Sequence, residues 1–158
     1  MSGLEKGRPL AFEDFKPGDR QSFGPRVLTK EEIVAFGRDW DPQPFHVDEE
    51  AAARSPFGGL IASGWQTAAL CMRLVVDGIL SQSTSIGSPG LDELKWLKPV
   101  RPGDALSVQV EILEATPSKS KPDRGSIRLT YSCTNQKGET VMTMTARVLF
   151  LKREAPPS

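Results

Sequence analysis

The sequence predicts an α+β domain in which an antiparallel sheet wraps around one long helix. Two observations carry that expectation. Between Ser63 and Leu80 the clearly polar side chains Gln66, Arg73 and Asp77 fall within a narrow arc at 100° per residue, so the segment reads as a helix buried nearly all round. From Leu94 onward the apolar period changes from 3.6 to 2, the spacing of half-buried strands. A sheet of that size must cover its apolar face, and the buried helix is the available plug.

The elements follow in order. Lys16-Pro17-Gly18-Asp19 forms a turn before a short strand near Ser22 to Val27. Thr29-Lys30-Glu31-Glu32 is a capping box, and the helix it opens runs to about Trp40 with Ile33, Val34, Phe36 and Gly37 on its inner face. Pro42 and Pro44 prevent continuation, since each lacks an N–H and restricts the residue before it. Asp48 then reads as the N-cap of a short helix through Glu49 to Ala53, and Ser55 to Gly59 as a loop. After the long helix and a loop from Ser81 to Gly90, Leu94, Trp96 and Lys98 alternate with Lys95 and Leu97. The turn Arg101-Pro102-Gly103-Asp104 leads into Leu106, Val108, Val110 and Ile112, then Ile127, Leu129, Tyr131 and Cys133, and finally Val141 to Leu151. Loops at Pro117 to Gly125 and Asn135 to Glu139 join these into a meander.

At 158 residues the chain is expected to be one domain, residues 1–158, with an ordered core of about 10–152 between frayed ends at residues 1–10 and in the tail EAPPS. Twenty Lys plus Arg balance twenty Asp plus Glu, so no global field draws the chain to nucleic acid or to an anionic membrane. Cys71 and Cys133 show no CxxC spacing and have no His nearby, which disfavours a disulfide frame or a zinc site. No signal peptide or membrane span is found, since Gln66, Arg73 and Asp77 interrupt the most apolar segment, and a reducing cytoplasm is the expected location.

The chemistry concentrates in Asp41-Pro42-Gln43-Pro44-Phe45-His46-Val47-Asp48, which holds the only histidine. An Asp and a His converging on one water can divide the roles of base and acid, and prolines between them would hold the pair in place before substrate arrives. The surrounding run FGRDWDPQPFHVDEEAAARSPFGGLIASGW, from Phe36 to Trp65, resembles the hydratase motif of the MaoC-like, R-specific enoyl-CoA hydratase family. That pattern is Asp, any residue, Asn, Pro, any residue, His, any residue, Asp, followed by an Ala-rich helix and a long helix opening on Gly.

The resemblance covers nearly the whole chain and implies a hot-dog fold and a hydro-lyase with no metal or organic cofactor. Its reaction would be reversible syn addition of water to a trans-2-enoyl-CoA, giving an (R)-3-hydroxyacyl-CoA. Asp41 and His46 match the catalytic pair. Gly64 aligns with the residue whose backbone N–H binds the thioester carbonyl, although its lack of a side chain would equally permit close packing. Gln43, Ser63 and Phe57 are placed at the substrate with it, while Asp48 is assigned to capping. Three positions depart from the family: Gln43 replaces Asn, Ser63 stands where many relatives have His, and Met72 where some have Ser.

CoA phosphates would meet Lys95, Lys98 and Arg101, or Lys119, Lys121 and Arg124, if either group is more than a solvated surface. The resemblance also implies a homodimer or higher homo-oligomer with an acyl-CoA thioester as partner, no nucleic acid and no membrane. Two other readings stay open. A hot-dog acyl-CoA thioesterase is disfavoured because the first three turns of the long helix carry no Asp or Glu; a non-catalytic acyl-thioester-binding module is disfavoured by the intact Asp41 and His46.

Overall fold

The computed structural model describes residues 8–153. Strand β1, Arg20–Val27, leaves the Lys16 to Asp19 turn directly, two residues earlier than expected. Helix α1, Lys30–Trp40, is capped by the Thr29 hydroxyl, which accepts from the Glu32 N–H at 3.2 Å. Only half of the expected box forms, because the Glu32 carboxylate takes the Thr29 hydroxyl and the Arg26 guanidinium instead of reaching back to the backbone. Of its anticipated inner face, Ile33 and Gly37 are buried while Val34 and Phe36 are half-buried. Two short helices follow, α2 at Pro44–Val47 and α3 at Glu49–Ala53. The Asp48 carboxylate caps α3 by accepting from the Glu50 and Ala51 N–H groups at 3.0 and 3.2 Å.

Helix α4, Gly64–Gly78, lies against a five-stranded antiparallel sheet completed by β2 at Gly90–Trp96, β3 at Ala105–Pro117, β4 at Arg124–Thr134 and β5 at Thr140–Leu151. The strand order is β1-β3-β4-β5-β2, so the three long strands form the expected meander and β1 and β2 occupy the edges. Strict alternation puts Leu106, Val108, Val110 and Ile112 of β3 and Ile127, Leu129, Tyr131 and Cys133 of β4 on one face. That face packs with Leu70, Cys71 and Val75 of α4 into a continuous core. Each fully buried aliphatic side chain contributes about 1.5–3 kcal/mol, which makes this seam the main source of cohesion.

Three expectations need correction. Helix α4 is not buried all round: Trp65, Ala69, Arg73 and Asp77, spaced four apart, form an exposed stripe, with Trp65 61% exposed. Gln66 leaves the polar arc and is buried, because the first turn of α1 covers it and the Glu32 carbonyl accepts its amide N–H at 3.0 Å. The second strand of the sequence reading ends at Trp96, so Lys98 lies outside it, its N–H donating to the Val141 carbonyl. The frayed ends fall largely outside the described residues, but Leu10 is buried and its N–H donates to the Gln82 carbonyl. Both cysteines are buried free thiols, and burial pushes each thiol well above its ordinary range, Cys133 to about 12.

Candidate active site

The two prolines do different work. Asp41 directly precedes Pro42, whose ring disfavours helical backbone in the residue before it. Asp41 therefore closes α1 as its C-cap, at φ −153° and ψ 68°, with its N–H still donating to the Gly37 carbonyl at 2.8 Å. Pro44 does not break structure but starts it: as the first residue of α2 its fixed φ suits a helix and its missing N–H costs nothing. The expected rigid loop is thus a one-turn helix, and His46 sits on it.

His46 is buried and held from two sides. Its Nδ1 lies 2.7 Å from the Ile61 carbonyl oxygen, and the Ile61 N–H donates to the Phe45 carbonyl at 3.1 Å. A carbonyl only accepts, so Nδ1 carries hydrogen and Nε2 is left facing Asp41. The Nε2 to Asp41 Oδ2 distance is 3.2 Å, with the two side chains 5% and 19% exposed. The Phe45 ring meets the imidazole edge-on at 4.6 Å.

Two further donors fix the carboxylate. The Gln43 amide donates to Oδ1 at 2.7 Å and the Ser63 hydroxyl to Oδ2 at 2.8 Å. Burial by itself opposes ionisation of Asp41, but these two hydrogen bonds and the nearby His46 outweigh it and hold the carboxyl below its ordinary value. Asp41 is therefore ionised throughout the neutral range. Gln43 and Ser63, noted as departures from the family pattern, both converge on this one group.

Asp41, Gln43, His46, Phe57 and Gly64 line one cleft of about 410 Å³, together with Trp65, Trp96 and Lys98. Ser63 is fully buried beneath it. Gly64 opens α4, where the first N–H groups of a helix have no intrahelical acceptor. Close packing holds there as well: a Cβ at Gly64 would lie 2.5 Å from the Trp96 ring, whose Nε1–H donates to the Gly64 carbonyl at 2.8 Å. Met72 is not among the residues lining the cleft.

Sequence reading missed the Ile61 carbonyl and Trp96. A backbone acceptor leaves no signature in residue type, and Trp96 lies 32 positions from its partner. Of the cations proposed for CoA phosphates, Lys95 pairs with Glu93, Lys98 with Glu139 and Arg124 with Asp123. Only Lys98 lines the cleft. Arg101 is directed inward, onto the carbonyls of Phe57 and Gly59. Among the described residues no group of three or more His, Cys, Asp or Glu side chains could hold a metal, and no helix is long and apolar enough to cross a membrane.

A sheet wrapped on one central helix, with a carboxylate and an imidazole beside that helix's N-terminus, defines a protein of the hot-dog class. It is similar in structure to the MaoC-like dehydratase from Rhodospirillum rubrum, with a TM-score of 0.83, 44% identity, and coverage of 92% of this chain and 99% of that one. Residues 14–134 match the MaoC like domain, and the chain belongs to that family. Among curated proteins it is similar to the 3-hydroxybutyryl-CoA dehydratase of Methylorubrum extorquens, 32% identical over 156 residues and covering 96% of this chain and 90% of the relative. It is also similar to the (R)-specific enoyl-CoA hydratase of Rhodospirillum rubrum, 30% identical over 114 residues, covering 68% of this chain and 73% of the relative.

Proposed function

We propose that this protein is a hydro-lyase that reversibly adds water, in the syn sense, to a trans-2-enoyl-CoA to give an (R)-3-hydroxyacyl-CoA. The observation that carries the reading is the 3.2 Å approach of His46 Nε2 to an ionised Asp41 in a cleft that Gly64 also lines. The names of the dehydratase and hydratase relatives point to the same chemistry.

In the hydration direction Asp41 takes a proton from water as the water oxygen bonds to C3. The electron pair of the double bond moves toward the thioester carbonyl, and the proton taken up by Asp41 reaches C2 by way of His46 Nε2. Passage of the proton from Asp41 through His46 over the short gap between them restores both groups. Both partners act from one side of the cleft, which gives syn addition. Negative charge developing on the thioester oxygen meets backbone N–H at the start of α4, a type of donor worth about 2.7–4 kcal/mol in the transition state. Gln43 and Ser63 hold Asp41, and Phe57 forms part of the acyl wall. The reaction needs no cofactor from the protein.

The expected partner in solution is a second copy of the chain. Among the described residues edge strand β2 pairs only with β5, and Leu91, Trp96 and Leu97 on and beside it are exposed together with Trp65. Contiguous apolar surface of this kind marks an interaction site.

The test is hydration of short and branched trans-2-enoyl-CoAs, followed as loss of the conjugated absorbance. Asp41→Asn and His46→Ala should each lower kcat by at least about 100-fold. An unchanged rate for Asp41→Asn would remove the acid/base assignment. Release of CoA thiol without hydration would instead indicate a thioesterase, which the structure gives little to support: the sole acid of α4, Asp77, is exposed in its last turn and paired with Arg73.

A further inference from the structure

The segment Trp96 to Arg101 runs alongside Phe57 to Gly64 and is tied to it at three levels. The Trp96 indole donates to the Gly64 carbonyl at 2.8 Å, and the Ala62 N–H donates to the Val100 carbonyl at 2.9 Å. At the far end the half-buried Arg101 guanidinium donates to the Gly59 carbonyl at 3.3 Å and to that of Phe57. Among the described residues no carboxylate forms an ion pair with Arg101, so carbonyls of one loop take its donors. Arg101 is itself anchored, since its N–H donates to Asp104 Oδ2 at 2.8 Å and the Gln136 amide donates to Asp104 Oδ1 at 2.9 Å.

We propose that Arg101 is a positioning residue that sets the acyl-length preference of the cleft by fixing the loop that carries Phe57. Phe57 lines the cleft and its ring lies 5.1 Å from that of Phe45, which in turn touches the His46 imidazole. The segment Ser55 to Gly59 contains two glycines, Gly58 at φ +68° and Gly59; the Ser55 hydroxyl ties its first half to the Ala52 carbonyl and the Phe57 N–H, while its glycine end has no side chains with which to hold itself. A planar guanidinium reaching two carbonyls two residues apart supplies that constraint, and an ammonium cannot reproduce its fork. Without it the Phe57 wall retreats and the cleft admits longer acyl groups.

The inference rests on the cleft being an acyl-thioester site, so its test reads binding separately from turnover. Dissociation constants for saturated acyl-CoAs of increasing length, which cannot be hydrated, are compared for wild type, Arg101→Met, Arg101→Lys and Phe57→Ala, with free CoA as a control and melting temperature recorded for each. One methylene in an apolar pocket discriminates by about 10–200-fold. Arg101→Met and Phe57→Ala should each shift the ratio of long-chain to short-chain affinity by at least about tenfold toward the longer chain. Their effects should not add in the double variant, and Arg101→Lys should restore part of the wild-type ratio.

Uniform weakening at every length, a fall in melting temperature with no change in the ratio, or absence of acyl-CoA binding by the wild type would each overturn the proposal. So would an equal loss of affinity for free CoA, which would make Arg101 a phosphate contact. Length-dependent binding without hydration of any enoyl-CoA would sink the hydro-lyase reading and leave this one standing.

Discussion

At the scale of single residues, the site is organised around how many donors reach one carboxylate. Asp41 accepts from Gln43 and Ser63, and its pKa lies below the ordinary value. A base with a lowered pKa is active from a lower pH upward, so removing either donor raises that pKa and moves the acid limb of the rate profile to higher pH. Ser63→Ala and Gln43→Leu should each do this in kcat/KM measured against pH, with the alkaline limb unmoved. An acid limb that stays put in both variants would separate these donors from the ionisation of Asp41. The pair Asp41 and His46 was legible in the sequence because two side-chain types at fixed spacing carry the signal. What orients His46 was not legible, because the Ile61 carbonyl is a backbone group that any residue would provide.

At the scale of elements, the position of His46 depends on how closely α1 and α2 approach. The close approach is at Gly37, where a Cβ would stand 2.9 Å from Val47 Cγ1 and 3.1 Å from His46 Cβ. Gly37→Ala should favour α1 taken alone, since Ala is the better helix former by about 0.8–1.0 kcal/mol. In the folded protein it must push α2 aside, and a displacement of about 1 Å at a reacting group costs about 100-fold in rate. Steady-state kinetics set beside thermal melting should therefore show activity falling far more than stability. A variant as active as wild type would mean that α2 tolerates the shift.

Among the elements, the long strands of the meander were readable because period-two alternation is enforced by burial on one face. Helix α2 was not, since four residues give no periodicity and its prolines point equally to a turn. Edge strand β2 came out two residues too long because Lys98 continues the alternation in sequence after the ladder with β5 has ended at Trp96.

At the scale of the whole molecule, the largest gap between sequence and structure lies on α4. Its composition is that of a helix with one narrow polar arc, yet a stripe from Trp65 to Asp77 faces outward. Among the described residues no surface covers this stripe, and the second copy proposed above would do so. Light scattering should give twice the mass of the chain, and Leu91→Lys, placing charge on exposed strand β2, should return it toward that of a single chain. Wild type eluting as a monomer at micromolar concentration would remove the dimer proposal.

The burial of Cys71 and Cys133 has a practical consequence for the choice between hydration and thioester cleavage. These are the chain's only cysteines, both lie in the core between α4 and β4, and both thiols are held protonated far above neutral pH. The nucleophile in disulfide exchange is the thiolate, so the native protein is silent toward a colorimetric aromatic disulfide. Colour released at neutral pH therefore counts liberated CoA alone, and the same reagent, in the absence of any acyl-CoA, becomes a clock for global opening of the fold.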